Sequence, residues 1–328
     1  MGNAGLDMIS FGTVFLELVL GHLPELPRPG EEVFTDDFAV SCGGGAVTSA
    51  SAAARTGVHA GLCTLLGNDL GSRVVLAHCE HAGVDVSPSL RVPWRSAGIS
   101  LVLNFDGDRA FITHAPARSA GEQPEVDRWC DVVLRERPRW CYLHARRGVP
   151  GFLRAARSVG TKVMLDMSLA DERERELVIE CVGLADVFVP NEAELRWLTS
   201  AQTLESAVAA AKAWGTPLVV KRGPAGALVV DGGTVAEIRD GVQAVRVRDR
   251  TGAGDAFAGA LIAELLRGVR LASAVIAANQ AGSEAVGRLG AVGAVEMELG
   301  ELLTGAVTES AVAVRTERTQ GREARSGA

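Results

Sequence analysis

The sequence is short of lysine, of aromatic side chains (5% of 328 residues, a single tyrosine among them) and of cysteines in pairs. Each shortage excludes something. With no lysine-rich stripe and a formal net charge of −7, the chain has no electrostatic footprint for nucleic acid, so none is expected as a partner. The six cysteines (Cys42, Cys63, Cys79, Cys130, Cys141, Cys181) show no C-x-x-C spacing, and most fall in apolar runs. Reduced core thiols are expected rather than disulfides or a zinc site. No uninterrupted apolar stretch is long enough to span a bilayer, and Met1 to Asp7 lacks the basic-then-apolar pattern of a signal peptide. A cytoplasmic protein with no membrane partner is expected. No internal repeat stands out.

What is present is a large apolar content, 47%, ample for one core plus a small appendage. Short apolar runs alternate with helical patterns: strands at Trp140–His144, Lys162–Asp166, Asp186–Pro190 and Leu218–Lys221, with helices at Val149–Val159, Glu172–Val182, Asn191–Leu198 and Leu204–Trp214 between them. That alternation predicts an α/β fold with a mostly parallel sheet covered on both faces. Ligands in such sheets gather at the C-terminal ends of strands, where Asp166, Asn191, Lys221 and Asp249 are expected. Ile99–Phe105 and Arg109–His114, joined through Asp106-Gly107, read as a hairpin. With the loose alternation of Glu31–Val40 it would form a small second sheet.

The densest chemistry lies at Asp249-Arg250-Thr251-Gly252-Ala253-Gly254-Asp255-Ala256-Phe257. Val242–Arg248 ahead of it alternates like a strand, and Phe257, Leu261 and Leu265 behind it have helical spacing. A glycine turn at a helix start presents unpaired N–H groups and the positive end of the dipole to an anion. Asp255 is then either a plain cap or a base for a nucleophile.

The pattern D-x-T-G-A-G-D-x-F resembles the signature of the PfkB (ribokinase-like) carbohydrate kinases, and the resemblance runs over about residues 6 to 295. It implies a ribokinase-like three-layer α/β/α sandwich with a β-sheet lid. The domain would span 1–307, with lid strands about 31–41 and 97–115 and a disordered tail at 308–328. By the same resemblance Gly252, Ala253 and Gly254 are the anion hole for the transferring phosphate, and Asp255 is the base for a substrate hydroxyl. Gly43, Gly44 and Asp69 would line the sugar. The family's Asp on the first strand is matched by Glu17, and its Asn after the double glycine by Thr48, two departures that concern the substrate. Lys221, Gly223, Thr251 and Asn279 would border ATP. Asn191 and Glu194 would serve Mg2+ through water, although both also suit a helix cap. Asp249 would hold a monovalent cation such as K+. The implied partner is a sugar or polyol, and the implied assembly a homodimer through the lid. A nucleoside kinase (with Phe15 or Phe105 against the base), a sugar-phosphate kinase (with Arg146 and Arg147 on the phosphate) and a catalytically weak binding relative are the alternatives.

Overall fold

Strands form where short apolar runs end at glycine or a polar residue, and helices fill the longer amphipathic stretches between them. A computed structural model describes residues 5–295 apart from 95, 106–107, 116–122 and 169–171. The first half runs β1 (Met8–Phe11), β2 (Phe15–Leu23), β3 (Phe38–Gly43), α1 (Gly45–Ala54), β4 (Ala60–Cys63), β5 (Leu65–Leu66), α2 (Leu70–Ala82), β6 (Leu90–Arg91), β7 (Gly98–Phe105) and β8 (Arg109–His114). There follow α3 (Gln123–Glu136), β9 (Trp140–His144), α4 (Val149–Ser158), β10 (Lys162–Asp166), α5 (Arg175–Leu184), β11 (Val187–Phe188), α6 (Glu192–Thr199) and α7 (Leu204–Ala211). The described chain closes with β12 (Leu218–Lys221), β13 (Ala227–Asp231), β14 (Thr234–Ile238), α8 (Ala253–Leu266) and α9 (Leu271–Ala285).

Eight strands make one sheet in the order β14-β13-β12-β11-β10-β9-β1-β4. The six from β12 to β4 are parallel, and β13 and β14 add an antiparallel edge. Successive strand residues point to opposite faces. Ile9, Phe11, Cys141, Leu143, Val163 and Leu165 therefore share one core with Trp129 of α3 and Phe152 of α4. Met8, Trp140, Tyr142 and Met164 share the other with Phe257 and Leu261 of α8 and Val275 of α9. The expected α/β/α sandwich is the observed one. Among the described residues no helix is long and apolar enough to cross a membrane.

A separate sheet, β3-β2-β7-β8, stands apart from the eight-stranded one. Its central strand β2 pairs antiparallel with β3 and parallel with β7. In the sequence reading the resemblance places Glu17 on the first strand; the chain instead breaks at Gly12-Thr13, and Glu17 lies on β2 in the second sheet. The β7–β8 hairpin is as expected, but the expected turn at 106–107 lies outside the described residues, as does the 308–328 tail. β3 starts at Phe38, later than the expected Glu31. Helix α3 and the β13–β14 hairpin had no counterpart in that reading.

One expectation is overturned. Val242–Arg248 is not a strand. Sheet pairing stops at Ile238, and the segment runs beside α9 instead, with Gln243 N on Ser283 Oγ (3.1 Å) and Arg248 N on Val286 O (2.7 Å). Alternating side chains do not make a strand unless the backbone finds a partner, and here it is bonded to α9 rather than to the free edge of β14. Asp249 thus sits in a loop, not beyond a strand end.

Helices α1 and α8 approach closely because both are lined with small residues. A side chain at Gly259 would run into Ser49 O and lie 3.0 Å from Ala52 Cβ. Overpacking of this kind costs about 1–3 kcal/mol. Gly259→Ala should lower the thermal midpoint by several degrees, measured by calorimetry, whereas Gly268→Ala in the open turn after α8 should act only through its positive φ.

Candidate active site

Strand parity assembles the site. Tyr142 and His144 share a face of β9, and Met164 and Asp166 share that face of β10, in register as Met164–Tyr142 and Asp166–His144. Lys221 ends β12, bridged to Asn191. Tyr142, His144 and Lys221 point toward the start of α8, whose first turn carries Asp255. Tyr142 donates its hydroxyl proton to Asp255 Oδ1 at 2.6 Å and lies 3.1 Å from Asp166 Oδ2. Lys221 Nζ donates to the same Asp166 oxygen at 2.7 Å. His144 Nε2 lies 3.2 Å from Asp255 Oδ1 and 2.9 Å from the tyrosine oxygen, while its Nδ1 meets Ser168 Oγ at 3.1 Å. One tyrosine proton therefore stands between two carboxylates, one of which the lysine already neutralises.

Two helix starts converge here. Gly252 caps α8 in the left-handed region (φ 74°), and a side chain on it would meet Ala291 at 2.8 Å. A Cβ at Gly254 would stand 3.1 Å from Lys221 Nζ, so the ammonium lies beside the glycine turn. At the start of α1 a Cβ on Gly45 would come within 2.6 Å of both Asp255 Oδ1 and His144 Nε2. Only glycine leaves that space open.

Burial alone would push the Asp255 carboxyl up, but the hydrogen bond and charge of His144, then Tyr142 and Lys221, hold it below the usual carboxylate range. The same contacts act in reverse on the partners. Burial works against a charged His144 and a charged Lys221, yet the neighbouring carboxylates raise both. Tyr142 is pushed well up by burial and by Asp166 and Asp255, so it stays a proton donor. The cluster is a preformed, charge-balanced acceptor for one proton at Asp255.

The other expected residues take varied places. Glu17, on β2, is buried under the α1 turn, where its Oε2 accepts from Ala291 N at 3.1 Å and its carboxyl fills the space a side chain at Gly43 would need. Burial pushes it up to about 7, with the nearby charges of Asp249 and Asp255 adding to the effect. Gly44 turns into α1 at φ 107°, and Thr48 turns its hydroxyl back on Gly44 O at 3.2 Å. Asp69 caps α2 through Ser72 N (3.2 Å) and also accepts from Ala97 N (3.2 Å). Asn191 and Glu194 form a reciprocal capping box on α6, at 2.9 and 2.7 Å. Asp249 accepts from Thr251 N and Oγ1 (2.8 and 2.6 Å) and from Gly290 N (2.9 Å). Asn279 donates to Ile238 O and Asp240 O at 3.0 and 2.9 Å, tying the 238–240 backbone to α9. Gly223 opens the turn after β12. Arg146 lies over Trp129 (4.1 Å) and pairs with Glu125 (3.2 Å), which holds it away from the cluster.

The sequence reading left out Tyr142, His144 and Gly45. Residues two apart at the C-terminal end of a central strand share a face, and a single tyrosine in an aromatic-poor chain was the available signal.

A three-layer sandwich with a second small sheet and an acid at a glycine-capped helix start is the ribokinase-like arrangement. The chain superposes on Arabidopsis thaliana ribokinase, solved with ribose and ATP, with a TM-score of 0.69 at 21% identity over 88% of this chain and 95% of that one. It superposes on an E. coli protein, crystallised with ATP and Mg2+ as a candidate ribokinase II, with a TM-score of 0.74 at 22% identity over 89% and 96%. The chain belongs to the pfkB family of carbohydrate kinases, whose pattern it matches over residues 18–297, and it is a carbohydrate kinase by that membership. Among curated relatives, it is 29% identical to cytidine kinase of Thermococcus kodakarensis over 72% of this chain and 84% of that protein. It is 26% identical to deoxyribokinase of Salmonella typhi over 77% and 84%.

Two outcomes follow from the geometry. Tyr142→Phe removes a donor from Asp255, so the acid limb of the pH–rate profile should move up by roughly one unit, the equivalent of about 1.4 kcal/mol. A raised carboxyl pKa stabilises the fold below the ordinary carboxylate value and loses that stability as pH rises through about 7. Glu17→Gln should therefore raise the thermal midpoint over wild type more at pH 8 than at pH 5, as scanning calorimetry would read.

Proposed function

We propose that this chain transfers the γ-phosphoryl group of ATP to a hydroxyl of a sugar or sugar-like polyol. The observation that carries the proposal is the Asp255 carboxylate hydrogen-bonded to Tyr142 and His144 at the mouth of a glycine-capped helix. In this mechanism the acceptor hydroxyl lies between Asp255 and the glycine turn. Asp255 takes its proton as the new O–P bond forms. The amides of Gly252, Ala253 and Gly254 bind the oxygens of the transferring group, and Lys221 beside Gly254 adds a fixed positive charge. His144 and Tyr142 keep the base ionised before transfer.

The residues fit a hydrated magnesium ion. Burial pushes Glu194 up against the pull of Lys221, so this buried carboxyl is short of positive charge, and a Mg2+ held through water by Glu194 and Asn191 would supply it. The ion neutralises phosphate oxygens when bound. A potassium site on Asp249 fits less well, because both carboxylate oxygens are already hydrogen-bonded to Thr251 and Gly290, and no step runs through it.

The small sheet acts as a lid, with Glu17, Gly43, Gly44 and Thr48 near the acceptor, Asp69 supporting them, and Thr251, Gly223 and Asn279 bordering the nucleotide. Its outer face, with Phe38, Ile99 and Ile112 exposed, suits a second copy of the chain, and sedimentation would read the homodimer. The free, mostly buried cysteines agree with a reducing cytoplasm. A nucleoside acceptor is the second reading, favoured by the cytidine kinase relative and by Phe105 at a cavity wall.

ADP release from MgATP across pentoses, hexoses, sugar phosphates, sugar acids, cyclitols and nucleosides tests the proposal. Asp255→Asn should lower kcat by roughly 10²–10⁴-fold on whichever acceptor is used. A variant near wild-type rate would remove Asp255 from the chemistry.

A further inference from the structure

Asp166 is 1% exposed, and the transfer step above gives it no part. Its two oxygens are held differently. Oδ1 accepts from Met167 N at 2.8 Å. Oδ2 accepts from Lys221 Nζ at 2.7 Å and faces the Tyr142 hydroxyl at 3.1 Å. Tyr142 is the single tyrosine of the chain, and it is fully buried in the core shared with α8. Its ring and oxygen are therefore fixed, and only the O–H bond turns. That bond has two carboxylates in reach, Asp255 Oδ1 at 2.6 Å and Asp166 Oδ2 at 3.1 Å. Burial beside both acids keeps the phenol protonated, so one proton stands before two acceptors.

Lys221 decides between them. Its ammonium satisfies Asp166 Oδ2 and so leaves the tyrosine proton to Asp255. The same ammonium lies beside the glycine turn, 3.1 Å from where a Cβ on Gly254 would stand. A phosphate in that turn shares the ammonium and weakens its hold on Asp166. Asp166 is closed to bulk solvent, and a buried carboxylate oxygen left short of a donor is costly. The charged groups around it offer little else. Glu194 of α6 and Asp255 of α8 are acids, and the His144 imidazole of β9 is engaged with Asp255, Tyr142 and Ser168. The remaining donor is the Tyr142 hydroxyl.

We infer that Asp166 is a positioning residue: when nucleotide phosphate in the glycine turn draws on Lys221, Asp166 takes over the hydrogen bond that Tyr142 gives to Asp255, and the base is released as the phosphoryl donor arrives. The proton stays on the tyrosine oxygen throughout, and only its acceptor changes. Before nucleotide binds, Tyr142 holds Asp255 charged but weakly basic. Afterwards Asp255 keeps His144 at 3.2 Å and loses its shortest donor, so its carboxylate gains proton affinity where the acceptor hydroxyl is to be deprotonated. The inference rests on the kinase reading above, because its trigger is nucleotide phosphate.

The test reads the Asp255 carboxyl in the full chain by carbon-13 NMR titration, free and saturated with Mg2+ and the β,γ-imido analogue of ATP, with binding followed by calorimetry. Wild type, Tyr142→Phe and Asp166→Asn are compared. The phosphate charge raises the Asp255 midpoint in all three. Loss of the tyrosine bond adds to that rise in the wild type alone, because Tyr142→Phe has no bond to lose and Asp166→Asn has no second carboxylate to take it. The wild-type rise should therefore exceed that of either variant by roughly one unit. Either variant suffices if the other does not fold. Equal rises in wild type and variant overturn the inference and leave the kinase reading standing, since the nucleotide has bound. If the analogue does not bind at all, the trigger is absent and the inference falls together with that reading.

Discussion

A carboxylate kept charged inside a protein demands compensation, and the structure around Asp255 is arranged to supply it. Two helix starts bring partial positive charge, while β9 contributes a hydroxyl and an imidazole and β12 an ammonium one residue cluster away. Asp166 serves as the counter-charge that keeps Lys221 in place, and so belongs to the site without facing the glycine turn's amides. Removing any member leaves another buried group unpaired, which explains why parity, register and glycine placement all agree at this one point. The close packing of α1 on α8 is part of the same constraint, since it lets Gly45 approach Asp255.

The small sheet is tied into this centre by a single loop. Ala291 N donates to Glu17, Gly290 N to Asp249, and Ser41 Oγ to Gly293 O at 2.8 Å, while Val295 N pairs with Val40 O at 2.9 Å. Residues 290–295 thus bridge the sheet that would cover an acceptor and the turn that would hold a phosphate. Glu17 stands at the junction with a carboxyl that burial keeps reluctant to ionise. Its protonation and the packing of the two parts are therefore linked.

The architecture was legible where local pattern and tertiary pairing agree. Trp140–His144, Lys162–Asp166 and Leu218–Lys221 are strands with the expected bounds, because each is a short apolar run buried on both faces. Val242–Arg248 has an equally good alternation and is no strand, because its backbone is taken up by α9 through tertiary contacts that sequence does not display. The glycine turn and Asp255 were legible because their spacing is dense along the chain. Tyr142, His144 and Gly45 were not, since they meet Asp255 only through sheet register and helix packing. The Asn191–Glu194 pair shows a third case, in which one motif satisfies a helix cap with the side chains that would also serve a hydrated ion.

The most direct test of the account is the ionisation of Asp255 itself. Carbon-13 NMR titration of protein labelled at aspartate carboxyl carbons, with Asp255→Asn to assign the signal, reads it without substrate. The account predicts a midpoint below the ordinary 3.8, with the signal charged throughout the neutral range. A midpoint above about 5 would contradict it, for burial would then outweigh the donors of His144 and Tyr142 and the base would lack the charge assigned to it.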